Sequence, residues 1–472
     1  MNQLPIIIQG GMGVCISNSH IAKTCSQHPF VLGTLSGVAI ERVVPQVLQQ
    51  GDPGGHYRRA LLHFPFPEVA ERVVSKYFVE GGIPAGKKIK AVSVVSLHPN
   101  RELIELMIVA NFALVWLAKE GHKRPVSVNY LEKIQIPHIY NITGAIIAGV
   151  DYLTMGAGIT LQIPAVLDSI VSGTAVNYRV QVEGSKDGFV TISFNPKEFF
   201  GRALPPLKRP SFLPIVSTDV LATLMAKKLP AGSIQGFVIE KPTAGGHNAP
   251  PRTKGVFDEK GQPIYGPKDE VVFSKLRELG IPFWIAGSCA TQNSVAEARA
   301  LGAVGIQAGS IFALSDDSGM LGYFRNEIRR LGYRGELEIR TDPRASPTGF
   351  PFKVVQLPET LSDHAVYIAR ERVCDVCALR IVCEQHDGEI CYRCPGEPLN
   401  DFLRKGGKVE DTVDARCLCN GLLAAAGFGN PLEPPIFTLG DDVSFLRHLM
   451  RNETDSYGAV DAIKYLLSSE KN

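Results

Sequence analysis

The residue in this chain best placed to move a proton is His247. It ends the string GFVIEKPTAGGH, where an apolar run from Gly236 to Ile239 gives way to a turn carrying Gly245 and Gly246. Val238 and Ile239 suit a buried strand. Glycines lack a β-carbon, so a backbone there can bend sharply and come close to a ligand. An imidazole titrates near neutrality and can give or take a proton at such a strand end. Two more apolar runs follow the same plan: PFWIAG leads to Gly287 and Ser288, and GIQAG leads to Gly309 and Ser310. Backbone N–H groups at turns and helix N-termini bind phosphate. The succession strand–AGGH, strand–AGS, strand–AGS therefore predicts a phosphate cradle from Gly245, Gly246, Gly287, Ser288, Gly309 and Ser310.

A second concentration of reactive groups lies further on. Seven of the ten cysteines fall between Cys374 and Cys419, as CDVC, Cys383, CYRC and CLC. Two CxxC pairs have metal-ligand spacing, so zinc, or less readily an iron–sulfur cluster, could join Cys374, Cys377, Cys391 and Cys394. The competing reading is a set of reduced thiols packed as small hydrophobes. Disulfides are not expected of a cytoplasmic chain.

The elements that must position His247 and the cradle read as alternating strands and helices. PIIIQ (Pro5 to Gln9), FVLGTLSG (Phe30 to Gly37), VSVNYL (Val126 to Leu131), DYLTMGAG (Asp151 to Gly158) and FLPIVS (Phe212 to Ser217) precede the three runs above, which makes eight. Eight βα units imply a parallel sheet closed into an α/β (β/α)8 TIM barrel, with its site on the loops after the strand C-termini. In such barrels phosphate commonly sits after the last two strands. Two insertions interrupt the pattern. One spans about residues 38–125, with a loop expected at GDPGGHYRR and a helix at RELIELMIVANFALVWLA. The other, VNYRVQVEGSKDGFVTISF, alternates around a Gly-rich turn and reads as a β-hairpin. The barrel is expected over residues 1–355, followed by a Cys-containing helical and loop region over 356–472.

Bulk properties fit an enzyme without nucleic-acid or membrane partners. The 472 residues, 45% hydrophobic, supply a large core, and a net charge of +2 gives no general attraction to polyanions. The N-terminus enters an apolar strand with no basic stretch and cleavage site ahead of it, so no signal peptide is expected. The longest apolar stretch, Leu103 to Ala118, carries Glu105 and Asn111 and is short for a bilayer. A cytoplasmic location follows as the default.

Together, IIIQGGMG, VSVNYL, VDYLTMGAGI, VIEKPTAGGHN, IAGS and LGAVGIQAGSIF resemble the nitronate monooxygenase (2-nitropropane dioxygenase) family, whose superfamily includes flavin-dependent enoyl reductases. The strings TDPRASPTGFPFKV and CLCNGLLAAAG look like a longer subgroup, which includes the enoyl reductases of polyunsaturated-fatty-acid and polyketide synthases. The resemblance implies FMN at the barrel mouth. Gly10, Gly11 and Met12 would lie beside the isoalloxazine ring, Asn129 would hydrogen-bond it, and the Gly and Ser positions above would hold its phosphate. His247 matches the catalytic histidine. Ser288 departs from the glycine common there, but its hydroxyl can bond phosphate. The implied reaction is oxidation of alkyl nitronates by dioxygen to carbonyl compounds and nitrite. One alternative is reduction of enoyl thioesters with NADH or NADPH, with acyl carrier protein as a partner. Another is an inactive, flavin-retaining scaffold subunit of a synthase. The subgroup matches cysteine only at Cys374, Cys394, Cys417 and Cys419. That tips the cysteines towards packed thiols, with a four-thiolate set using Cys417 and Cys419 left open and no metal ligand assigned. The loop from Thr348 to Lys353 is expected to cover the substrate side of the flavin, and Glu132 with Lys133 to form a surface ion pair.

Overall fold

In this computed structural model, which describes residues 4–84 and 86–468, eight parallel strands close into a barrel. They are β1 (Ile7–Gln9), β2 (Val31–Ser36), β3 (Val126–Leu131), β4 (Tyr152–Gly156), β5 (Ser211–Val216), β6 (Phe237–Glu240), β7 (Phe283–Ala286) and β8 (Gly305–Ala308). Each pairs with its neighbours in chain order, and β8 closes on β1: Ile7 lies opposite both Val31 and Ile306. The expected (β/α)8 barrel is the fold. Alternate residues point inward, so Ile8, Leu32, Leu213, Val238, Trp284 and Ala286 fill the interior. The Trp284 indole donates to the Pro5 carbonyl at 2.8 Å, so its polar atom is satisfied.

Helices start where the sequence offers caps. Asn18 accepts from the N–H groups of His20 and Ile21 ahead of the helix Ser19–Ser26, Asn100 caps Arg101–Lys119, and Thr218 caps Asp219–Lys228. Arg101–Lys119 is apolar almost all round because the helices Ile40–Gln49, His56–Leu61 and Pro67–Tyr77 of the first insertion cover its outer side. Its buried Glu105 is held by Arg72 at 2.6 Å and Arg101 at 3.0 Å. The expected loop at GDPGGHYRR holds only as far as Gly55. From His56 the chain is helical, because Asp52 accepts from the N–H groups of Tyr57 and Arg58. No helix among the described residues is long and apolar enough to cross a membrane.

The hairpin of the second insertion forms as read, with strands Val176–Glu183 and Phe189–Phe194 and strict alternation of burial along the first. A second hairpin, Ile381–Glu384 with Ile390–Arg393, joins its edge, Val382 pairing in parallel with Val182. The helical and loop expectation for the C-terminal region overlooked this hairpin. Its signal was Asp387-Gly388, a favoured hairpin turn pair, with Gly388 at φ +85°.

The second hairpin also overturns the expectation of no disulfides. Cys383 and Cys391 lie directly opposite each other, 5.1 Å apart at Cα, and are bonded. That removes Cys391 from the candidate zinc set. Among the described residues no group of three or more His, Cys, Asp or Glu side chains is arranged to hold a metal. The region is tied down instead by a buried ion pair. Arg370 and Glu433 stand 3.3 Å apart with side chains only 2% and 0% exposed, and Val373 N–H donates to the same carboxylate.

The chain past Val355 then returns to the barrel. Phe437 accepts from Val355 N–H, Tyr457 donates to the Ile311 carbonyl, and the helix Ala459–Leu466 packs against Ser19–Ser26.

Candidate active site

All the site positions expected from sequence converge on the C-terminal end of the barrel. Two adjoining compartments, of about 150 and 160 Å³, open there. The first is lined by Gly10, Met12, Gly287, Ser288, Gly309 and Ser310. The second is lined by Asn129 and His247, and Gly11, Gly245 and Gly246 border both.

Local backbone explains several of these residues. Gly246 and Gly287 have φ of +83° and +96°, and Ser288 also sits in the left-handed region at +51°. A β-carbon on Gly287 would stand 2.8 Å from the Thr243 hydroxyl, and one on Gly11 would stand 2.4 Å from Cβ of Asn129. Asn129 Oδ1 accepts from Thr154 at 2.8 Å, which orients the amide and leaves Nδ2 without a protein partner among the described residues. Thr243 lines the first compartment, and its buried hydroxyl has no hydrogen-bond partner among the described residues.

Gly245 has a different reason from the one expected. Its missing β-carbon makes room for protein: a Cβ there would come within 2.7 Å of the Leu439 carbonyl carbon. An irregular strap from Ile436 to Gly440 lies across the mouth. Thr438 accepts from Gly246 N–H at 2.7 Å, and Gly440 N–H donates to Ser310 Oγ at 2.8 Å. Two predicted cradle groups are thus engaged by the chain itself. Residues well past the last barrel strand also build the pocket, because Leu422 and Thr438 line both compartments.

His247 is half-buried. Its Nε2 lies 2.7 Å from the Ser346 hydroxyl, which lies 2.8 Å from that of Thr348, and its ring meets Phe352 edge-on at 4.9 Å. Burial, with a smaller contribution from the Lys133 charge, pushes its pKa down to about 4. The imidazole is therefore neutral at pH 7, and the direction in which the Ser346–Thr348 hydroxyl pair points selects its tautomer. The segment from Thr348 to Lys353 packs beside His247: Asn248 N–H donates to the Pro351 carbonyl, and Lys353 N–H to that of Gly246. Phe352 and Lys353, however, belong to a buried strand, Phe352–Val355, paired with Ile339–Asp342. Lys133 is not in a surface ion pair. Its ammonium sits 4.6 Å over the Phe350 ring, and Glu132 is buried and accepts from Gln135.

One residue escaped the sequence reading. Glu240 ends β6 and lines both compartments, and burial pushes its carboxyl up to about 8. The signal was the two-residue strand period: Val238 points into the barrel, so Glu240 does too.

No family model and no curated protein matches the chain. Among solved structures, FabK from Thermotoga maritima is 15% identical, with 99% of this chain and 93% of that one covered and a TM-score of 0.48. Nitroalkane oxidase from Streptomyces ansochromogenes is 13% identical, covering 98% and 95%, at 0.46. The enoyl reductase domain of MlnA from the macrolactin biosynthesis cluster of Bacillus amyloliquefaciens is 12% identical, covering 75% and 64%, at 0.37. At such identities and scores the likeness carries no argument, and the barrel is seen directly.

Proposed function

We propose that the chain is an FMN-dependent oxidoreductase that works at the barrel mouth beside His247 and oxidises alkyl nitronates with dioxygen to carbonyl compounds and nitrite. The observation that carries the cofactor is the buried, partnerless Thr243 hydroxyl beside the turn of Gly287 and Ser288. A buried hydroxyl without a partner is costly, and a phosphate oxygen would satisfy it. Gly287, Ser288, Gly309 and Ser310, the last through its own N–H and O–H, would hold that phosphate, with Gly245 and the strap-bonded Gly246 behind them. Gly10, Gly11 and Met12 would floor the ring, and Asn129 Nδ2 would donate to it. FMN, when bound, supplies the two-electron chemistry.

The role of His247 is set by its surroundings and by which substrate form arrives. Neutral at working pH, it takes the α-proton of a nitroalkane or donates a hydrogen bond to a nitronate oxygen, and the Ser346–Thr348 pair holds the ring in place. Lys133 supplies the nearby positive charge that the neutral imidazole lacks. Glu240, protonated near pH 7, adds no repelling negative charge.

One observation favours the second reading, an enoyl-thioester reductase using a nicotinamide and served by acyl carrier protein. The His247 compartment adjoins a further chamber of about 460 Å³ across Ile134, Val376, Ala378 and Leu379. The apolar side of this mixed chamber, with Ile134, Val376 and Leu379, suits an extended acyl chain, which a small nitronate does not need. Aerobic turnover of purified protein separates the readings. Oxygen uptake and nitrite with propyl nitronate support the first, and NADH- or NADPH-dependent reduction of crotonyl thioester supports the second. Flavin-loaded protein inert to both would favour the scaffold subunit. Denatured protein that releases no FMN, with apoprotein that takes none up, would refute the cofactor assignment.

A further inference from the structure

The thiols of the C-terminal region are not equivalent. Of the free cysteines among the described residues, Cys15, Cys25, Cys289, Cys394 and Cys417 are buried, while Cys374, Cys377 and Cys419 keep some exposure. Cys374 and Cys377 stand with their sulfurs 3.6 Å apart, spaced as CxxC in a loop rather than a helix. Cys377 holds a left-handed backbone conformation at φ +60°, and its thiol donates to the Cys374 carbonyl at 3.1 Å, a bond that the thiolate gives up. A disulfide needs sulfurs about 2.05 Å apart, so closure asks for a movement of roughly 1.5 Å in side chains already turned towards each other.

Cys377 also lines the chamber of about 460 Å³ beside the His247 compartment. The charged side chains in that wall are Lys133, Arg380, Glu41 and Glu183. Glu183 is paired with Arg393, and burial favours the neutral form of Glu41. Lys133 and Arg380 give that wall two cationic groups able to receive the carboxylates of a substrate.

We propose that Cys377 and Cys374 form a thiol–disulfide exchange site, with Cys377 attacking, Cys374 resolving, and a carboxylate-bearing low-molecular-weight disulfide as substrate. The Cys377 thiolate attacks one sulfur of the substrate. The substrate S–S bond breaks, one thiolate leaves and takes up a proton, and a mixed disulfide remains on Cys377. Cys374 then gives up its proton and attacks the Cys377 sulfur, expelling the second thiolate. The protein dithiol loses two electrons and two protons, and the substrate disulfide gains them as two thiols.

The electrostatics support this division of labour. Of the two thiols only Cys377 lines the chamber, and its contact with Cys374 lowers it to about 7, with Arg380 and Arg42 assisting against burial and Asp375, while Cys374 is raised. The neighbouring thiols of Cys394 and Cys419 raise Cys374 further. Because Val376 and Ala378 line both the chamber and the His247 compartment, closing the pair shifts a wall of the mouth.

The test is made on the full purified chain in graded mixtures of reduced and oxidised glutathione, quenched by alkylation and read by peptide mass spectrometry. A Cys374–Cys377 disulfide should form and reverse with the glutathione ratio. Limited iodoacetamide should label Cys377 before Cys374, at a rate half-maximal near pH 7. With oxidised glutathione, Cys374→Ser should trap one glutathione on Cys377, and Cys377→Ser should trap none on Cys374. Failure of the wild-type pair to close in excess oxidised glutathione overturns the proposal, and so does faster labelling of Cys374. Bound zinc that shields both thiols from alkylation overturns it as well. The wild-type arms decide even where a variant fails to fold.

Discussion

The barrel mouth and the thiol-rich region meet at the same compartment but are built in opposite ways. At the mouth, the functional positions lie on or shortly after barrel strands whose order in space is their order in sequence, and only the covering strap comes from far along the chain. In the thiol-rich region the stabilising contacts join distant segments: Val382 with Val182, Arg370 with Glu433, Asn420 and Asn430 with Asp375. Local pattern can specify the first kind of structure. The second kind is specified by long-range pairing, so single changes there should damage folding before they damage chemistry.

The largest effect should come from Glu433. Replacing it by alanine leaves Arg370 as a buried, unpaired cation, at a cost of about 3–5 kcal/mol. The urea midpoint should fall, and protease should cut first between residues 370 and 440. A loss under about 1 kcal/mol would mean that the region does not depend on this pair. Next, His247→Ala should keep the fold and FMN but lose at least about a hundredfold in kcat/KM, roughly 2.7 kcal/mol of barrier. Near-normal turnover would reduce His247 to a turn residue. The two variants together test whether fold and chemistry divide between the regions as described.

The disulfide should matter less. Cys383 and Cys391 close a loop of only eight residues, so Cys383→Ser with Cys391→Ser should cost about 2 kcal/mol, with flavin affinity unchanged. Loss of flavin in that double variant would show that the hairpin holds the mouth itself. The smallest effect concerns Glu240. Its carboxyl ionises near 4.5 when exposed and about 8 when folded, so between those values the folded state keeps a proton that the unfolded state releases. Stability from this group is therefore full below 4.5 and is lost as pH rises to 8. Glu240→Gln, which cannot ionise, should gain on wild type by about 1 kcal/mol at pH 8 and by nothing at pH 4, allowing for partial solvent access. An equal difference at both pH values in urea melts would contradict the buried-carboxyl account.

Most of the barrel was legible because its signals are local. The apolar runs at Pro5, Phe30, Val126 and the five later ones each became a strand, and the caps Asn18, Asn100 and Thr218 stand in the sequence. Glu240 was equally available from strand alternation and was hidden by attention to the turn after it. What local reading could not reach was the strap. Nothing in IFTLG says that it will lie on Gly245, because that contact spans almost two hundred residues of chain. For the same reason Gly245 was read as making room for a ligand when it makes room for Leu439. The cysteines misled through composition: their number suggested metal or packed thiols, while Asp387-Gly388 had already set Cys383 against Cys391.

The strap also fixes an order of events during biosynthesis. The ribosome delivers the chain from the N-terminus, and all eight barrel strands have been made once Ala308 is in place. Thr438 and Gly440, which meet Gly246 and Ser310, come more than a hundred residues later. For that interval a nascent barrel presents its glycine turns with no cover from Leu439. Cofactor could enter then from the open face, and the strap, translated later, would shut it in.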